Sequence, residues 1–451
     1  MKFHLNNIGP IKAAEIELGD LTIVCGKNNS GKTYISYLIY GFLSAMHYNV
    51  DLLLSNDCID KLLEKGTLRI DLDCVADNVF KQLGKASKEY SRKLYEEFSA
   101  SENEFLKANL QVSVDRFELD YVEKYENSYK YRKKKYFEVV KEEENSYVDV
   151  NIIPQADEEL LPKGVLRRFI NTDLSMIILG KICRSVFILT SERTGISLFY
   201  KELDMYRNAL FEEMGRKSFK SRSDFLGVFD SATSRYARPI QDNIASTRDF
   251  EQIMKKKSEL CSKGCNSVLQ QMLMGKFRAI DEQLFFCVKP DGTKQEVNIP
   301  LHRVSSAVKS LFALDLYVRC LAKPGDLLMI DEPELNLHPD NQRMLARLLA
   351  MLVNLGIRVF VTTHSDFVVK EFNNLIMLSN AFKNKKTLMK KFNYITSQVL
   401  SRDSVKVYIA ENATVREIEV SKDSGFGLDT FDSVICEMNK STEEIIFNMG
   451  S

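Results

Sequence analysis

Leu21-Thr22-Ile23-Val24-Cys25 is a short, unbroken apolar run, and Gly26 ends it. A run of that length bounded by glycine predicts a strand buried on both faces. Just before it, Ala13-Ala14-Glu15-Ile16-Glu17-Leu18 alternates imperfectly and predicts a half-buried strand. From Tyr34 to Met46 the chain is apolar over long stretches, without Pro or Gly until Gly41, which predicts a buried helix. Leu68–Leu72, Tyr136–Val140 and Tyr147–Ile152 alternate as strands of an antiparallel sheet, with a charged helical stretch over 77–110 between the first two. Ser185–Thr190 is another buried-strand run, and Glu192 and Arg193 follow it.

Residues 197–276 have a helical, highly charged pattern broken near Pro239, which predicts a protruding helical arm. Strand-like sequence returns over Phe285–Leu301, with Pro290-Asp291-Gly292 as a hairpin turn. Leu301 to Asp366 reads helix, strand, helix, strand, the order of a parallel α/β unit. Val405–Ala410 and Val415–Val420 predict two more strands, and a polar helix near Thr442–Phe447 closes the chain. The expected fold is α/β: an antiparallel β lobe, a mixed or parallel core sheet and a short helical insertion. The boundaries are an N-terminal lobe over 1–196, the arm over 197–276 and a C-terminal lobe over 277–451.

Lys+Arg and Asp+Glu both number 62 in 451 residues, so no bulk electrostatic pull toward nucleic acid or a membrane is indicated. A local basic patch stays open, which leaves nucleic acid among the partners to consider. Tyr129-Lys130-Tyr131-Arg132-Lys133-Lys134-Lys135-Tyr136 could stack bases and touch phosphates. Glu142-Glu143-Glu144 follows at once, which favours a solvated hairpin edge blunted by lysines. The nine cysteines are scattered, and Cys261 with Cys265 lacks the second pair that a zinc site needs. With no signal-like N-terminus and no run long enough for a membrane span, a reducing, cytoplasmic setting without membrane contact is expected.

Gly26-Lys27-Asn28-Asn29-Ser30-Gly31-Lys32-Thr33 matches G-x-x-x-x-G-K-[ST]. The glycines let backbone N–H groups turn inward around phosphates, Lys32 brings a cation to the β- and γ-phosphates, and the Thr33 hydroxyl suits Mg²⁺. The helix that starts there adds its dipole. Chance agreement at the specified positions has odds on the order of 1% per chain. The apolar strand before the loop and the apolar helix after it supply the required context, so ATP and Mg²⁺ are the expected ligands.

Leu327-Leu328-Met329-Ile330-Asp331-Glu332 ends a buried strand in two acids, and Pro333 stops it. At the C-terminal edge of an open α/β sheet, where ligands bind, Asp331 would hold Mg²⁺ and Glu332 would act as general base on water. Val359-Phe360-Val361-Thr362-Thr363 is a neighbouring strand ending in His364-Ser365, and His364 could donate to the γ-phosphate or the attacking water.

Together these motifs resemble an ABC-type ATPase of the SMC, RecF and Rad50 superclass. Within it the chain resembles the ATPase half of the OLD (overcoming lysogenization defect) family. The likeness rests on Phe3–Lys12 leading into the phosphate loop, on Asp331-Glu332-Pro333-Glu334-Leu335-Asn336-Leu337-His338-Pro339, and on Thr363-His364-Ser365. It implies a P-loop NTPase head that hydrolyses ATP, with Lys32, Glu332 and His364 catalytic. Gly26, Asn28, Asn29, Ser30, Gly31, Lys32 and Thr33 would bind the nucleotide. Val304-Ser305-Ser306-Ala307 stands where the family carries Ser-Ser-Gly, so Ser305 and Ser306 would bind the γ-phosphate held by a second copy; an ordinary helix N-cap is the plainer reading. Arg193 resembles a recurrent Glu-Arg feature or serves a structural ion pair. Gln270, Gln271 and Gln283 give no glutamine-loop assignment.

The resemblance also implies a nuclease domain after the head in full OLD proteins, and the sequence beyond His364 is too short and lacks its D-x-D acids. A separate effector, a nuclease or toxin, is then the expected partner, as in the Septu- and PARIS-like anti-phage systems that stand-alone ATPases of this kind resemble. A RecF- or SMC-like ATPase that clamps DNA is the alternative.

Overall fold

The computed structural model describes residues 1–52, 56–115, 123–131, 134–153, 162–202, 236–260, 264–281, 283–290, 292–293, 295–427 and 429–449. Its strands in chain order are β1 (Lys2–Ile8), β2 (Ile11–Glu17), β3 (Leu21–Cys25), β4 (Thr67–Asp71), β5 (Asn109–Ser113), β6 (Tyr125–Tyr131), β7 (Lys134–Lys141), β8 (Tyr147–Ile152) and β9 (Val186–Leu189). They continue with β10 (Lys276–Ile280), β11 (Gln283–Val288), β12 (Val297–Pro300), β13 (Leu327–Asp331), β14 (Arg358–Thr363), β15 (Val405–Glu411) and β16 (Thr414–Ile418).

Nine of these form one mixed sheet in the order β5-β1-β2-β16-β15-β3-β14-β13-β9. The half from β15 to β9 is parallel throughout, and the other half is largely antiparallel. Every residue of β3 and of β13 is buried, as expected for parallel strands covered on both faces. Successive residues feed opposite cores. Val24, Met329 and Phe360 join one core with the helix Lys32–Asn49 and with β1, β5, β7 and β8. Ile23, Ile330 and Val361 join the other with the helices Ser306–Leu316, Pro339–Asn354 and Asp366–Met377.

The register decides where the site lies. Cys25 stands beside Thr363, Thr362 beside Asp331, and Ile330 beside Leu189. Four strands therefore end together, and the segments that follow them leave from one edge of the sheet.

A second antiparallel sheet, β4-β8-β7-β6, carries the alternating strands read between Leu68 and Ile152, and a third has the order β10-β11-β12. The basic, tyrosine-rich run falls on the β6–β7 hairpin at the edge of its sheet. Tyr129 there is not available to bases: it stacks on Phe137 at 4.4 Å and packs on Phe169 at 4.6 Å. Arg132 and Lys133 lie outside the described residues. Of the expected arm, the helices Arg238–Arg248 and Cys265–Leu273 are packed on the head, with Asn243 bonding β9 and Leu269 in the core. Residues 203–235, the middle of that arm, lie outside the described residues, as do Cys261 and Asp291. Among the described residues no helix is long and apolar enough to cross a membrane.

Candidate functional site

The phosphate loop runs from the end of β3 into the helix Lys32–Asn49. Gly31 sits at φ +94°, and a Cβ there would stand 2.8 Å from Ile11 Cδ1 and 2.9 Å from Pro10 Cγ. A Cβ on Gly26 would approach the Ala410 carbonyl oxygen to 2.6 Å. Gly26 is thus required by a backbone carbonyl and Gly31 by neighbouring side chains, and both by their positive φ. No side chain caps the helix, so its first-turn N–H groups have no side-chain acceptor and form a ready site for an anion. Ser30 Oγ is buried without a hydrogen-bond partner, an orphan that a phosphate oxygen in the loop would satisfy.

Lys32 is nearly buried, and its Nζ donates to the carbonyls of Gly26 (2.9 Å) and Lys27 (2.8 Å). Burial lowers its pKa, while the carboxylates of Glu332 and Asp331 pull it back up. Thr33 Oγ1 donates to Asp331 Oδ2 at 2.9 Å, and Thr362 Oγ1 donates to Asp331 Oδ1. Asp331 is fully buried, which raises its pKa against the lowering effect of those two hydroxyls. Thr33 and Asp331 present the hard oxygen donors that Mg²⁺ takes, already side by side.

Glu332 adopts φ +49°, and its N–H donates to the Thr362 carbonyl at 3.0 Å. That kink turns the chain off the strand just where its carboxylate meets His364: Nδ1 to Oε1 is 3.4 Å. Glu334 lies equally close to the imidazole at 3.4 Å, is buried, and accepts from Thr363 Oγ1 (2.8 Å) and the His364 N–H (2.9 Å). The hydrogen bond from His364 holds the Glu332 carboxyl below its usual range, and the same bond raises the imidazole pKa. Such a pair can polarise water from one side and present a cationic N–H from the other.

Asn28, Asn29, Ser30, Gly31, Lys32, Thr33, Glu332 and His364, with Pro10 and Tyr34, line one open cleft of about 560 Å³. Ser305 and Ser306 do not line it. Both are exposed at the start of the helix Ser306–Leu316, where Ser305 Oγ accepts from the Val308 N–H at 3.3 Å. The plain N-cap contact is therefore present, at residues outside the lining of the phosphate-loop cleft. Gln270 and Gln271 lie on the helix Cys265–Leu273 and Gln283 opens β11, none of them lining the cleft.

Arg193 forms no ion pair among the described residues. It is buried, and its guanidinium donates to four backbone carbonyls: Thr190 (3.0 Å), Ser310 (3.3 Å), Asp331 (2.8 Å) and Glu332 (2.7 Å). Burial depresses its pKa to about 10. It fastens the end of β13 to the helix that carries the serines. The sequence reading also passed over Glu334, Thr362 and Thr363. Polar residues closing an otherwise apolar strand, and a third acid two residues past Glu332, were the available signals.

No curated protein matches the chain. Among solved structures it is similar to the Smc head domain with an extended coiled coil, bound to the C-terminal domain of ScpA, from Pyrococcus furiosus: 13% identity, 97% of this chain and 98% of that chain covered, TM-score 0.32. It is also similar to the SMC head domain from Thermotoga maritima, at 12% identity over 93% of this chain and 98% of that chain, TM-score 0.30. The family model for the AAA ATPase domain matches residues 1–369, which takes in the phosphate loop, Asp331-Glu332 and His364, and the chain belongs to that family of ATPases.

Proposed function

We propose that this ATPase is a subunit of a bacterial anti-phage defence complex, that two copies sandwich the nucleotide between them, and that the ATP-bound state controls a separate effector, a nuclease or toxin. In this reading Lys32 neutralises the β- and γ-phosphates, and Thr33 with Asp331 holds Mg²⁺. Glu332 takes a proton from the attacking water while the His364 imidazolium donates to the γ-phosphate. Ser305 and Ser306 of a second copy supply the remaining donors at a helix N-terminus.

The observation that carries this reading is the half-lined cleft. Glu332 and His364 face the phosphate loop, while the two serines stand exposed outside that lining. Beyond the N-cap contact that Ser305 makes within its own chain, that exposed helix N-terminus is open to a phosphate held by another copy. Control of an effector is supported by the OLD-like run Asp331–Pro339, whose relatives couple a head of this kind to a nuclease.

The test is phage challenge of cells carrying this gene with its immediate neighbours. The expected result is reduced plating that disappears with Lys32→Ala. Unprotected cells, together with ATP-dependent retention of DNA by the purified chain, would overturn the defence reading in favour of a RecF- or SMC-like clamp.

A further inference from the structure

One imidazole nitrogen at the site has two acceptors within reach. His364 Nδ1 stands 3.4 Å from Glu332 Oε1 and 3.4 Å from Glu334 Oε1. A full hydrogen bond from a charged nitrogen to a carboxylate closes to about 2.7–2.9 Å. Two equal, longer distances are those of a single donor shared between both acids.

The two acids differ in how they are held. Glu332 lines the cleft, and its side chain is 26% exposed. Among the described residues its carboxylate makes no polar contact besides the one to His364. Glu334 does not line the cleft, and its side chain is 6% exposed. Its Oε1 is tied to the end of β14 by Thr363 Oγ1 (2.8 Å) and the His364 N–H (2.9 Å). Its backbone is fixed as well, since the Leu337 N–H donates to the Glu334 carbonyl at 3.0 Å. Glu334 Oε2 is buried and has no hydrogen-bond partner among the described residues. A buried oxygen of that kind calls for a donor, and a carboxylate can accept one more N–H without giving up either bond to β14. One acid is thus free to turn, and the other is anchored with acceptor capacity in reserve.

We propose that Glu334 is the positioning residue of His364: when Glu332 turns to the attacking water, the Nδ1–H bonds to Glu334 alone, which leaves Nε2 for the γ-phosphate. This rests on the roles proposed above for Glu332 and His364. No proton moves to Glu334; it only keeps the hydrogen bond that Glu332 gives up. A general base that was also the sole anchor of the imidazole would have to release the ring on engaging the water. With Glu334 in place, the tautomer and direction of the ring are set by an acid that takes no part in the proton transfer.

Glu334→Gln tests this with little disturbance. Its amide oxygen still accepts from Thr363 Oγ1 and the His364 N–H, while the negative charge is lost and the spare oxygen becomes a donor that cannot take Nδ1–H. In steady-state ATP turnover by the full chain, kcat should fall at least tenfold while KM stays within about twofold. His364→Ala is the reference: it should be slow, and adding Glu334→Gln to it should slow turnover no further, because Glu334 acts through the ring. Normal turnover by His364→Ala would remove the role of His364 itself and this proposal with it. A slow His364→Ala beside a normal Glu334→Gln would overturn the positioning role alone. Losses that add in the double variant, or that fall equally on kcat, nucleotide affinity and the urea melt, would make Glu334 purely structural and overturn it too. A second measurement leaves Glu334 untouched. Ring-nitrogen NMR of Glu332→Ala, at a pH where the imidazole is neutral, should still show a protonated, hydrogen-bonded Nδ1, and adding Glu334→Gln should abolish that signal. A ring that reverts to the Nε2–H tautomer in Glu332→Ala would show that Glu334 does not hold it.

Discussion

At the scale of single residues, the balance between Glu332 and His364 is the most direct quantity to test. The imidazole pKa is raised above its ordinary 6.5 by the bond to Glu332, so protonating His364 favours the folded state. That contribution is complete below 6.5 and is lost as pH rises through the raised value. Glu332 is lowered from 4.5, so its contribution is present above 4.5 and is lost as pH falls through the lowered value. The pair is thus intact between the two, with His364 cationic. A carbon-detected NMR titration should put the His364 midpoint above 6.5 and return it toward 6.5 in Glu332→Gln; an unmoved midpoint would show that the contact does not set the charge. The same substitution should slow turnover by roughly 10²–10⁴, the usual worth of a general base, and trap ATP. Normal hydrolysis by that variant would remove Glu332 from the proposed role. Lys32→Ala should abolish ATP binding in a fluorescent-nucleotide assay, since among the described residues no other buried cation reaches the loop carbonyls that Lys32 bonds. Lys32 was legible from the G-x-x-x-x-G-K-[ST] pattern, and Glu332 and His364 because each follows the end of an apolar strand with a group that burial would otherwise penalise. Glu334 was not legible. Its role depends on a hydrogen bond to the neighbouring strand's end, and that neighbour is assigned only by the sheet order.

Between elements, Arg193 is the joint. Four carbonyls from three segments converge on one guanidinium, and only Arg offers enough donors in a planar fork to serve them. Removing it leaves buried acceptors unpaired, which costs about 3 kcal/mol. Arg193→Ala should lower the urea unfolding free energy by that order, and Arg193→Lys should recover only part of it. Because the guanidinium holds the Glu332 carbonyl, kcat should fall more than nucleotide affinity in both variants; equal losses would mark a purely structural role. Periodicity located most strands, though not β5 or β10, which begin within stretches read as helical, since period two and unbroken apolar runs survive any tertiary arrangement. It could not show that Arg193 binds carbonyls instead of a carboxylate. That choice follows from Thr190, Ser310 and Asp331 meeting in space, and their sequence separation hides it.

For the whole molecule, the question is whether two half-sites make one. In the proposed sandwich each site combines the phosphate loop of one copy with Ser305 and Ser306 of the other. Lys32→Ala destroys a loop and spares the serines; Ser306→Arg places a bulky cation at the exposed N-terminus of the helix Ser306–Leu316 and spares the loop. Each variant alone should be inactive as a homodimer. A mixed dimer of the two has one site with both halves intact and one with both broken. Mixing the two inactive proteins should therefore restore ATP turnover, approaching half the wild-type rate per mixed dimer, and the gain should rise with total protein concentration. The concentration dependence separates a shared site from a site complete in one chain, because Ser306→Arg cannot then silence a loop it never touches. If Ser306→Arg alone turns over ATP normally, the serines are only the helix cap that their geometry already provides. If both single variants are dead and the mixture stays dead, the copies meet through some other face and the sandwich is refuted.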